Sequence, residues 1–412
     1  MMPKTNNIPE VRFAGFTDAW EQRKLSELAT MHARIGWQNL RTSEFLDSGD
    51  YMLITGTDFN DGAINYSTCH FVERERYEQD KHIQIKNGSI LITKDGTLGK
   101  VAYVQGLSMP ATLNAGVFNV EIRDETEVDN KYLFQYLKAP FLMDYVDKKA
   151  TGGTIKHLNQ NILVDFPVLL PSKAEQKAIG VYFERLDNLI TLHQRKYERL
   201  KNVKKSMLEK MFPKNGSNIP EIRFAGFTDA WEQRKLSDLI IEYKETVDSD
   251  CTLPVLTSSK TEGVVLQEEH FGRVQNHDIT GYNILPRNYC TYRNRSDGVD
   301  FTFNINRCCD KGIISKFYPV FYGNNSDIFF ISMVLNYCDE VVHEIAYTCT
   351  GTGQKVLSFL DLQKMNIRVP SYDEQKKISQ YFEQLDNLIT LHQRKLEKLQ
   401  NIKKSMLEKM FV

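Results

Sequence analysis

The sequence lacks the cysteine patterns of a disulfide framework or a zinc cluster. Its seven cysteines are an odd number, and no Cys-x-x-Cys pair occurs. It also lacks long hydrophobic runs: no stretch approaches 18 consecutive apolar residues, and the opening residues MMPKTNNIPEVRF contain no apolar signal segment. We therefore expect free thiols in a reducing cytoplasm, and neither secretion nor a membrane-spanning segment.

An excess of charge of one sign is also missing. The chain has 52 basic and 53 acidic residues and a formal net charge of −1. This balance argues against a general nucleic-acid binder, because such domains are usually basic. The charges are unevenly placed, however: residues 193–214 hold eight Lys or Arg against two acids, and residues 392–411 hold six against two. These runs indicate either solvated helix faces or basic strips that face a phosphate backbone.

The 412 residues suggest two or three domains, and they contain a duplication. Residues 8–28 and 219–239 agree at 19 of 21 positions, and residues 175–212 and 374–411 agree at 30 of 38. The intervening segments, 29–150 and 240–349, share almost no similarity. A near-identical framework that alternates with divergent segments indicates one task performed twice, with a different specificity each time.

Each copy of the second block predicts a long amphipathic helix, because its apolar residues recur every three or four positions. The first stripe is Ile179, Phe183, Leu186, Ile190, His193, Tyr197, Leu200, Val203 and Met207. The second is Ile378, Phe382, Leu385, Ile389, His392, Leu396, Leu399, Ile402 and Met406. At 1.5 Å per residue, each helix would be about 55 Å long.

The divergent segments carry short β-rich runs instead, such as residues 89–93 and 301–303, separated by Gly, Asn and Asp. The predicted fold class is therefore α+β, with two mixed α/β domains and two long helices. The predicted division is a framework segment 1–28, an α/β domain 29–172, a helix 173–212, a linker with the repeated framework 213–239, a second α/β domain 240–371 and a second helix 372–412.

The long helices need a partner for their apolar stripes, and each is the obvious partner of the other. Only PKNGSN, residues 213–218, separates the first helix from the second framework block. The second helix must then run back, which predicts an antiparallel pair with the α/β domains at opposite ends, in a pseudo-two-fold and nearly circular molecule. The alternative is two independent tandem domains, which the short linker and the helix lengths disfavour.

This organisation resembles the specificity (S) subunit of type I restriction–modification enzymes, over essentially the whole chain. The residues that carry the resemblance are FTDAWEQRKL at 16–25 and its copy at 227–236, the Glu-Gln-Lys helix starts at 175–177 and 374–376, and the Leu-Asp-Asn-Leu-Ile runs at 186–190 and 385–389. Each piece is short, but the ordered set is specific.

The resemblance implies that the divergent segments are target-recognition domains, each reading one half of an asymmetric, bipartite site on double-stranded DNA. It further implies that the helices act as a spacer and dock two methyltransferase subunits, which restriction subunits join. A spacer of about 55 Å corresponds to about one to one and a half DNA turns. The chain itself would hold no cofactor; S-adenosylmethionine, ATP and magnesium would belong to the partner subunits.

The second divergent segment contains the sharper candidate for DNA contact. Six basic and three acidic residues lie between 287 and 316, among several aromatic residues. Strand alternation would place Arg293 and Arg295 on one face, where each can bind a guanine edge. The candidate contacts here are Tyr292, Arg293, Asn294, Arg295 and Lys316. The alternative is a solvated strand edge that carries protective charges.

In the first divergent segment, GTLGK at 96–100 differs from a phosphate loop in its spacing and lacks the hydroxyl that binds magnesium. A turn between strands is the better prediction, with Lys94, Thr97 and Lys100 as candidate contacts. The returning segments TGGTIK at 151–156 and TGTGQK at 350–355 add candidates in Thr154, Lys156, Thr352 and Lys355. Their glycines either approach the DNA backbone or only allow a turn.

Two further pairs of residues have a structural interpretation. His193 and His392 lie on the helical stripes, where a buried polar pair that fixes the helix register is favoured over metal ligation. Trp20 and Trp231 in the repeated framework are expected in the core rather than stacked on bases.

The chain lacks the motifs of the enzymes that the resemblance implies as partners. It has no Pro-Pro dipeptide, as an adenine methyltransferase loop would need, and no Walker A motif. We therefore predict a non-catalytic DNA-specificity subunit. Two alternatives remain open: an enzyme that acts alone on DNA, which would bind S-adenosylmethionine by itself, and a coiled-coil interaction protein with ligand-binding end domains, which would show no sequence preference on DNA.

Overall fold

The computed structural model describes residues 7–36, 39–96, 98–149, 158–214, 216–273, 278–351 and 353–411. The chain divides into two compact units. Unit 1 comprises residues 1–194 and 393–412, and unit 2 comprises residues 195–392. Thr97, Thr154, Lys156 and Thr352, which are candidate contacts, lie outside the described residues.

The helices and strands from the first framework block to the end of the first long helix are short, apart from that helix. They are β1 Glu21–Lys24, α1 Leu25–Leu28, β2 Ala29–His32, β3 Met52–Ile54, β4 Phe59–Asn60, β5 Ala63–Ile64, β6 His70–Phe71, α2 Arg74–Glu78, β7 Gln84–Ile85, β8 Ile90–Thr93, β9 Val101–Tyr103, β10 Ala111–Leu113, β11 Val117–Ile122, α3 Asn130–Lys138, α4 Phe141–Lys149, α5 Gln160–Val164, β12 Pro167–Leu170 and α6 Lys173–Lys210.

Unit 1 contains two four-stranded sheets. One has the order β2-β11-β8-β9 and is antiparallel, and the other has the order β6-β3-β10-β7, in which β10 and β3 run parallel. Strand β11 buries Phe118 and Val120 in one core and Val117 in a second, as the period-2 alternation of a strand requires. The β-rich run predicted at 89–93 is confirmed as strand β8, which begins at Ile90.

The second copy follows the same general order with different strands. Its elements are β13 Glu232–Lys235, α7 Leu236–Leu239, β14 Ile240–Tyr243, β15 Leu256–Ser259, β16 Gly263–Leu266, α8 Gln267–Phe271, β17 Asn283–Pro286, β18 Cys290–Thr291, β19 Arg295–Ser296, β20 Asn304–Ile305, β21 Lys311–Ile314, β22 Val320–Gly323, α9 Ile328–Tyr337, α10 Asp339–Thr348, β23 Lys355–Val356, α11 Phe359–Lys364, β24 Asn366–Val369 and α12 Tyr372–Met410.

Unit 2 has one four-stranded sheet, β14-β22-β18-β20, and several two-stranded ladders. The β-rich run at 301–303 was expected to be a strand, and this was wrong. Phe303 exchanges both backbone hydrogen bonds with the side-chain amide of Asn336 on α9 (3.0 and 2.9 Å). A side chain therefore takes the place of the neighbouring strand, and regular pairing begins only at β20.

The mixed α/β character and the two long helices are confirmed. Each helix contributes to both units, because the unit border falls within α6 and within α12. Inside unit 1, Phe183 near the start of α6 stacks on Phe411 (5.6 Å between ring centroids). Inside unit 2, Phe382 and Phe212 occupy the positions equivalent to Phe183 and Phe411, and their ring centroids lie 6.4 Å apart.

Equivalent framework contacts hold each unit together. Trp20 and Trp231 are both 2% exposed, and each packs edge-on against a ring of a core helix, Tyr132 in α3 and Phe330 in α9. The prediction that the two tryptophans belong to the core is confirmed. The framework strands pair alike as well, β1 with β12 and β13 with β24, both antiparallel.

The two histidines of the stripes are only half-buried, so the expectation of a buried polar pair was wrong for His193 and His392. Ion pairs lie at the equivalent helix contacts. The buried Lys403 pairs with Asp187 in unit 1, and the equivalent, half-buried Lys204 pairs with Asp386 in unit 2 at 2.5 Å. These two lysines of the basic runs therefore have a structural role.

Candidate nucleic-acid interface

Four of the predicted contact residues lie close together in unit 2. Strand β19 pairs antiparallel with β23, so that Arg295 lies opposite Val356 and Ser296 lies opposite Lys355. Phe317 then joins two of the cations: the Arg295 guanidinium lies 4.4 Å, and the Lys316 ammonium 5.8 Å, from its ring centroid. We call Arg293, Arg295, Lys316 and Lys355 the basic surface of unit 2.

The pairing state of the cations divides the basic segment. Arg287 forms an ion pair with Asp310 at 2.7 Å, and Arg307 forms one with Glu383. Arg293, Arg295 and Lys316 are exposed, and in the described part of the chain no carboxylate forms an ion pair with them. The positive charges of Arg287 and Arg307 are therefore balanced within the protein. Those of the three exposed cations can attract an external anion.

The chain does not form the continuous strand that was predicted across residues 292–296. It bends at Asn294, whose backbone N–H donates to the Phe317 carbonyl (2.9 Å) and whose own carbonyl accepts from Leu357 N–H (3.0 Å). The side-chain oxygen of Asn294 is buried without a hydrogen-bond partner among the described residues. Asn294 therefore anchors this loop through its backbone, and its side-chain oxygen is not accessible to a ligand.

Tyr292 is also misplaced by the sequence prediction, which expected it to contact DNA. Its side chain is fully buried, and its hydroxyl donates to the Leu357 carbonyl at 3.0 Å. The ring packs on Phe303, with centroids 4.8 Å apart. Burial raises the pKa of Tyr292 well above its usual value. With no exposed surface, Tyr292 is a core residue of unit 2.

The described residues of the second returning segment, 350–351 and 353–356, bring its two ends together. Thr350 and Val356 exchange backbone hydrogen bonds (3.1 and 2.9 Å), and Gly351 lies at φ +102°. A β-carbon at Gly351 would lie 2.4 Å from the Gln354 carbonyl, so the turn itself requires this glycine. Lys355 donates to the Gly351 carbonyl at 2.9 Å, which holds its ammonium beside the turn.

In unit 1, strands β8 and β9 pair antiparallel as a hairpin, as predicted. Thr93 N–H donates to the Lys100 carbonyl, and Lys100 N–H donates to the Thr93 hydroxyl, both at 2.9 Å. Gly96 and Gly99 have φ of +72° and +70°. Lys100 is exposed, whereas Lys94 is half-buried with its ammonium 5.5 Å from the Phe118 ring centroid.

The two units thus carry different cationic surfaces on similar frameworks. Unit 1 offers Lys94 and Lys100 around a hairpin, and unit 2 offers a cluster built on Phe317. Sequence reasoning did not find Phe317, because only the fold brings it under Arg295, which lies 22 residues earlier. No helix in the described part of the chain has the length and apolar character needed to cross a membrane.

Comparison with known proteins gives one consistent result. Residues 17–202 and 311–401 match the family described as the type I restriction modification DNA specificity domain. The putative type I restriction enzyme MjaX specificity subunit of Methanocaldococcus jannaschii is 24% identical over 438 residues, covering 98% of this chain and 95% of the relative. The MjaVIII specificity subunit of the same organism is 23% identical, covering 94% and 95%.

A solved structure has the same fold. The crystal structure of the type I restriction–modification system S subunit from M. genitalium superposes with a TM-score of 0.64 and 14% identity, covering 98% of this chain and 99% of that one. The two matched ranges together span more than half of this chain. This chain therefore belongs to the type I restriction modification DNA specificity family.

Proposed function

We propose that this chain is the DNA-reading subunit of a type I restriction–modification complex, with one half of an asymmetric target read by each α/β domain. The observation that carries the proposal is the contrast between framework and surface. Equivalent contacts recur in both units, such as Lys403 with Asp187 and Lys204 with Asp386. The cationic surfaces differ, as two different half-sites require.

The proposed arrangement of the whole chain follows from the same repetition. In each unit the end of one long helix packs against the start of the other, as the pairs Phe183–Phe411 and Phe212–Phe382 illustrate. This supports the antiparallel, pseudo-two-fold arrangement expected from the sequence, with the two recognition domains at opposite ends. The helices would then set the distance between the half-sites.

In unit 2, recognition would use the arginines of the basic surface. An arginine binds guanine O6 and N7 through two parallel hydrogen bonds, and a lysine neutralises a phosphate. Arg293 and Arg295 are exposed and free of carboxylate partners among the described residues, which suits direct contact with bases. Lys316, which lies beside the Phe317 ring as Arg295 does, suits a phosphate.

The complex would contain two methyltransferase subunits and the restriction subunits, which would bring S-adenosylmethionine, ATP and magnesium. Docking would use the long helices. Leu189 and Leu192 on α6 are 44% and 45% exposed, and their copies Leu388 and Leu391 on α12 are 43% and 44% exposed. Large apolar residues exposed at equivalent positions of two repeats fit two copies of one partner. Such a complex would work on the chromosome in the cytoplasm.

The decisive experiment is to map methylated adenines in a genome that expresses this chain with its methyltransferase. We expect a bipartite, asymmetric sequence motif. Replacing Arg293 and Arg295 together by Ala should relax or change one half of the motif and leave the other half unchanged. The matched control is Arg287→Ala, because Arg287 lies in the same segment but is paired with Asp310. An equal loss at both halves would contradict independent reading by unit 2.

Docking has its own test, in a pull-down of the methyltransferase by the full-length chain. Leu189→Glu with Leu192→Glu should remove one methyltransferase copy, and Leu388→Glu with Leu391→Glu should remove the other. The control is Leu360→Glu on α11, which is 68% exposed and outside the repeated helices. Unchanged stoichiometry in both double variants would exclude these leucines as the docking surface.

A further inference from the structure

A cluster of two histidines and one glutamate lies on the first sheet of unit 1. Strand β2 pairs with β11 in a register that sets His32 opposite Asn119 and Thr30 opposite Glu121. Residues two apart on a strand share a face, and residues directly opposite also share one. His32 and Glu121 therefore project from the same face of the sheet, as diagonal neighbours.

The third residue, His82, comes from a 3-10 helix, Lys81–Ile83, that precedes β7 of the second sheet. Asp80 caps this helix by accepting from His82 N–H at 2.9 Å. The side-chain amide of Asn119 on β11 donates to the His82 carbonyl at 3.0 Å, which fixes the 3-10 helix against the first sheet. The His82 and His32 rings then stack, with centroids 4.6 Å apart and an interplanar angle of 20°.

The potential ligand atoms converge in this arrangement. His32 Nε2 lies 3.8 Å from Glu121 Oε2, and one ligand atom from each of the three residues lies within 4.8 Å of the others. Tetrahedral zinc with bonds of about 2.0–2.2 Å holds its ligands roughly 3.3 Å apart. A metal ion lies in the plane of each imidazole ring that binds it, so the two stacked rings must rotate out of their stack to share one ion. His82 and Glu121 are exposed, which leaves room for this rotation.

We propose that His32, His82 and Glu121 bind one divalent transition-metal ion, with zinc as the ion of choice. Two imidazole nitrogens and one carboxylate oxygen are ligands that zinc accepts, and a water molecule completes the tetrahedron. The Thr30 hydroxyl lies 3.0 Å from His32 Nε2, and it remains beside the site when this nitrogen turns to the metal. The ion ties the 3-10 helix of the second sheet to strands β2 and β11 of the first, which adds a cross-link to a domain without disulfides among its described residues.

The test uses the full-length chain without a histidine tag, freed of metal by a chelator. Titration with zinc in a calorimeter should give one site per chain. His82→Gln and Glu121→Gln should each weaken binding by more than the roughly 10- to 100-fold that loss of an outer-sphere partner causes. Both residues are exposed, so these variants retain the fold. His270→Gln is the matched control, because His270 pairs with Glu262 at 2.6 Å in a His–Glu contact of unit 2.

Cobalt and heating give independent measurements. Cobalt should show the ligand-field absorption of a tetrahedral N/O site, without a sulfur-to-cobalt charge-transfer band. Zinc should raise the melting temperature of the parent chain and not that of His82→Gln, because an ion that binds only the folded state stabilises it. The proposal is overturned if His82→Gln binds zinc as tightly as the parent, or if a charge-transfer band shows that cysteines hold the ion.

Discussion

Arg12 holds Glu175 through two parallel hydrogen bonds, from Nε to Oε1 at 2.7 Å and from Nη2 to Oε2 at 2.8 Å. Arg223 holds Glu374 in the same way, with both distances at 2.7 Å. Each glutamate lies in the first turn of a long helix and is 1% exposed. In both units a planar, two-point contact thus locks the framework block onto the start of a helix.

The Arg12–Glu175 contact predicts that substitution of Arg12 lowers the free energy of unfolding by a large amount. Arg12→Ala leaves the buried Glu175 carboxylate without its partner, and loss of one member of a buried pair costs about 3–5 kcal/mol. Arg12→Lys should retain the charge but lose the two-point geometry, and so should fall between Ala and the parent. Urea unfolding of the full-length chain measures both.

The control for this prediction is an exposed pair of the same two residue types. Arg74 pairs with Glu78 at 2.8 Å, and both side chains are more than half exposed. Arg74→Ala should therefore leave the unfolding curve almost unchanged. If Arg12→Ala and Arg74→Ala shift the urea midpoint equally, the buried carboxylate does not have the energetic role assigned here.

A second prediction concerns the turn beside the basic surface. Gly351→Ala places a β-carbon 2.4 Å from the Gln354 carbonyl at a φ of +102°, so the turn must distort. We expect a loss of stability greater than about 1 kcal/mol. Gly353→Ala is the control, because no atom lies within 4 Å of the β-carbon there. Equal melting temperatures for the two variants would show that the turn tolerates a side chain.

A third prediction separates base reading from phosphate contact. Lys316→Ala should weaken DNA binding by the assembled complex to a similar extent on every target sequence, and should reduce the salt slope by about one. Arg295→Ala should instead reduce discrimination at one base pair by about 1–3 kcal/mol. Fluorescence anisotropy over a salt series measures both, with Lys364→Ala as control because Lys364 is paired with Asp361. A change of discrimination in Lys316→Ala would contradict its assignment to phosphate.

A fourth prediction follows from thiol acidity. Burial, with the Asp58 carboxylate nearby, raises the pKa of Cys69 to about 12. Burial also raises the pKa of Cys290, which is fully buried. At pH 8 both thiols are almost entirely protonated, and the thiolate is the reactive form. Alkylation at pH 8 followed by peptide mass spectrometry should leave both unlabelled until the chain is unfolded, whereas rapid labelling of Cys69 in the folded chain would contradict this environment.

The sequence predicts the parts of this protein that depend on local periodicity. The stripes from Ile179 and Ile378 predict helices close to the observed Lys173–Lys210 and Tyr372–Met410, because 3.6-residue spacing is a local property. The hairpin at Lys94 and Lys100 is predicted for the same reason: its glycines and flanking strands are adjacent in the chain. The predicted domain limits stay predictions.

Residues that meet only through long-range pairing escape such reasoning. Tyr292 is polar enough for a surface strand, yet its side chain is fully buried and its ring packs against those of Phe303 and Phe321. The short strand at Arg295 depends on a partner at Val356, 61 residues later, which alternation alone cannot identify. The histidine–glutamate cluster of unit 1 likewise depends on the register of two strands almost 90 residues apart.

The division of the long helices between the units sets an order on folding. Unit 2 is a continuous segment, residues 195–392, and the ribosome completes it first. Unit 1 needs residues 393–412 as well: Phe411 fills its core, and Val11 N–H donates to the Lys409 carbonyl at 3.0 Å. Contacts across almost the whole chain form slowly. Residues 1–194 of unit 1 are made first, but their apolar surface thus stays open until the last turns of α12 emerge from the ribosome. A nascent chain halted before those turns would be a substrate for chaperones.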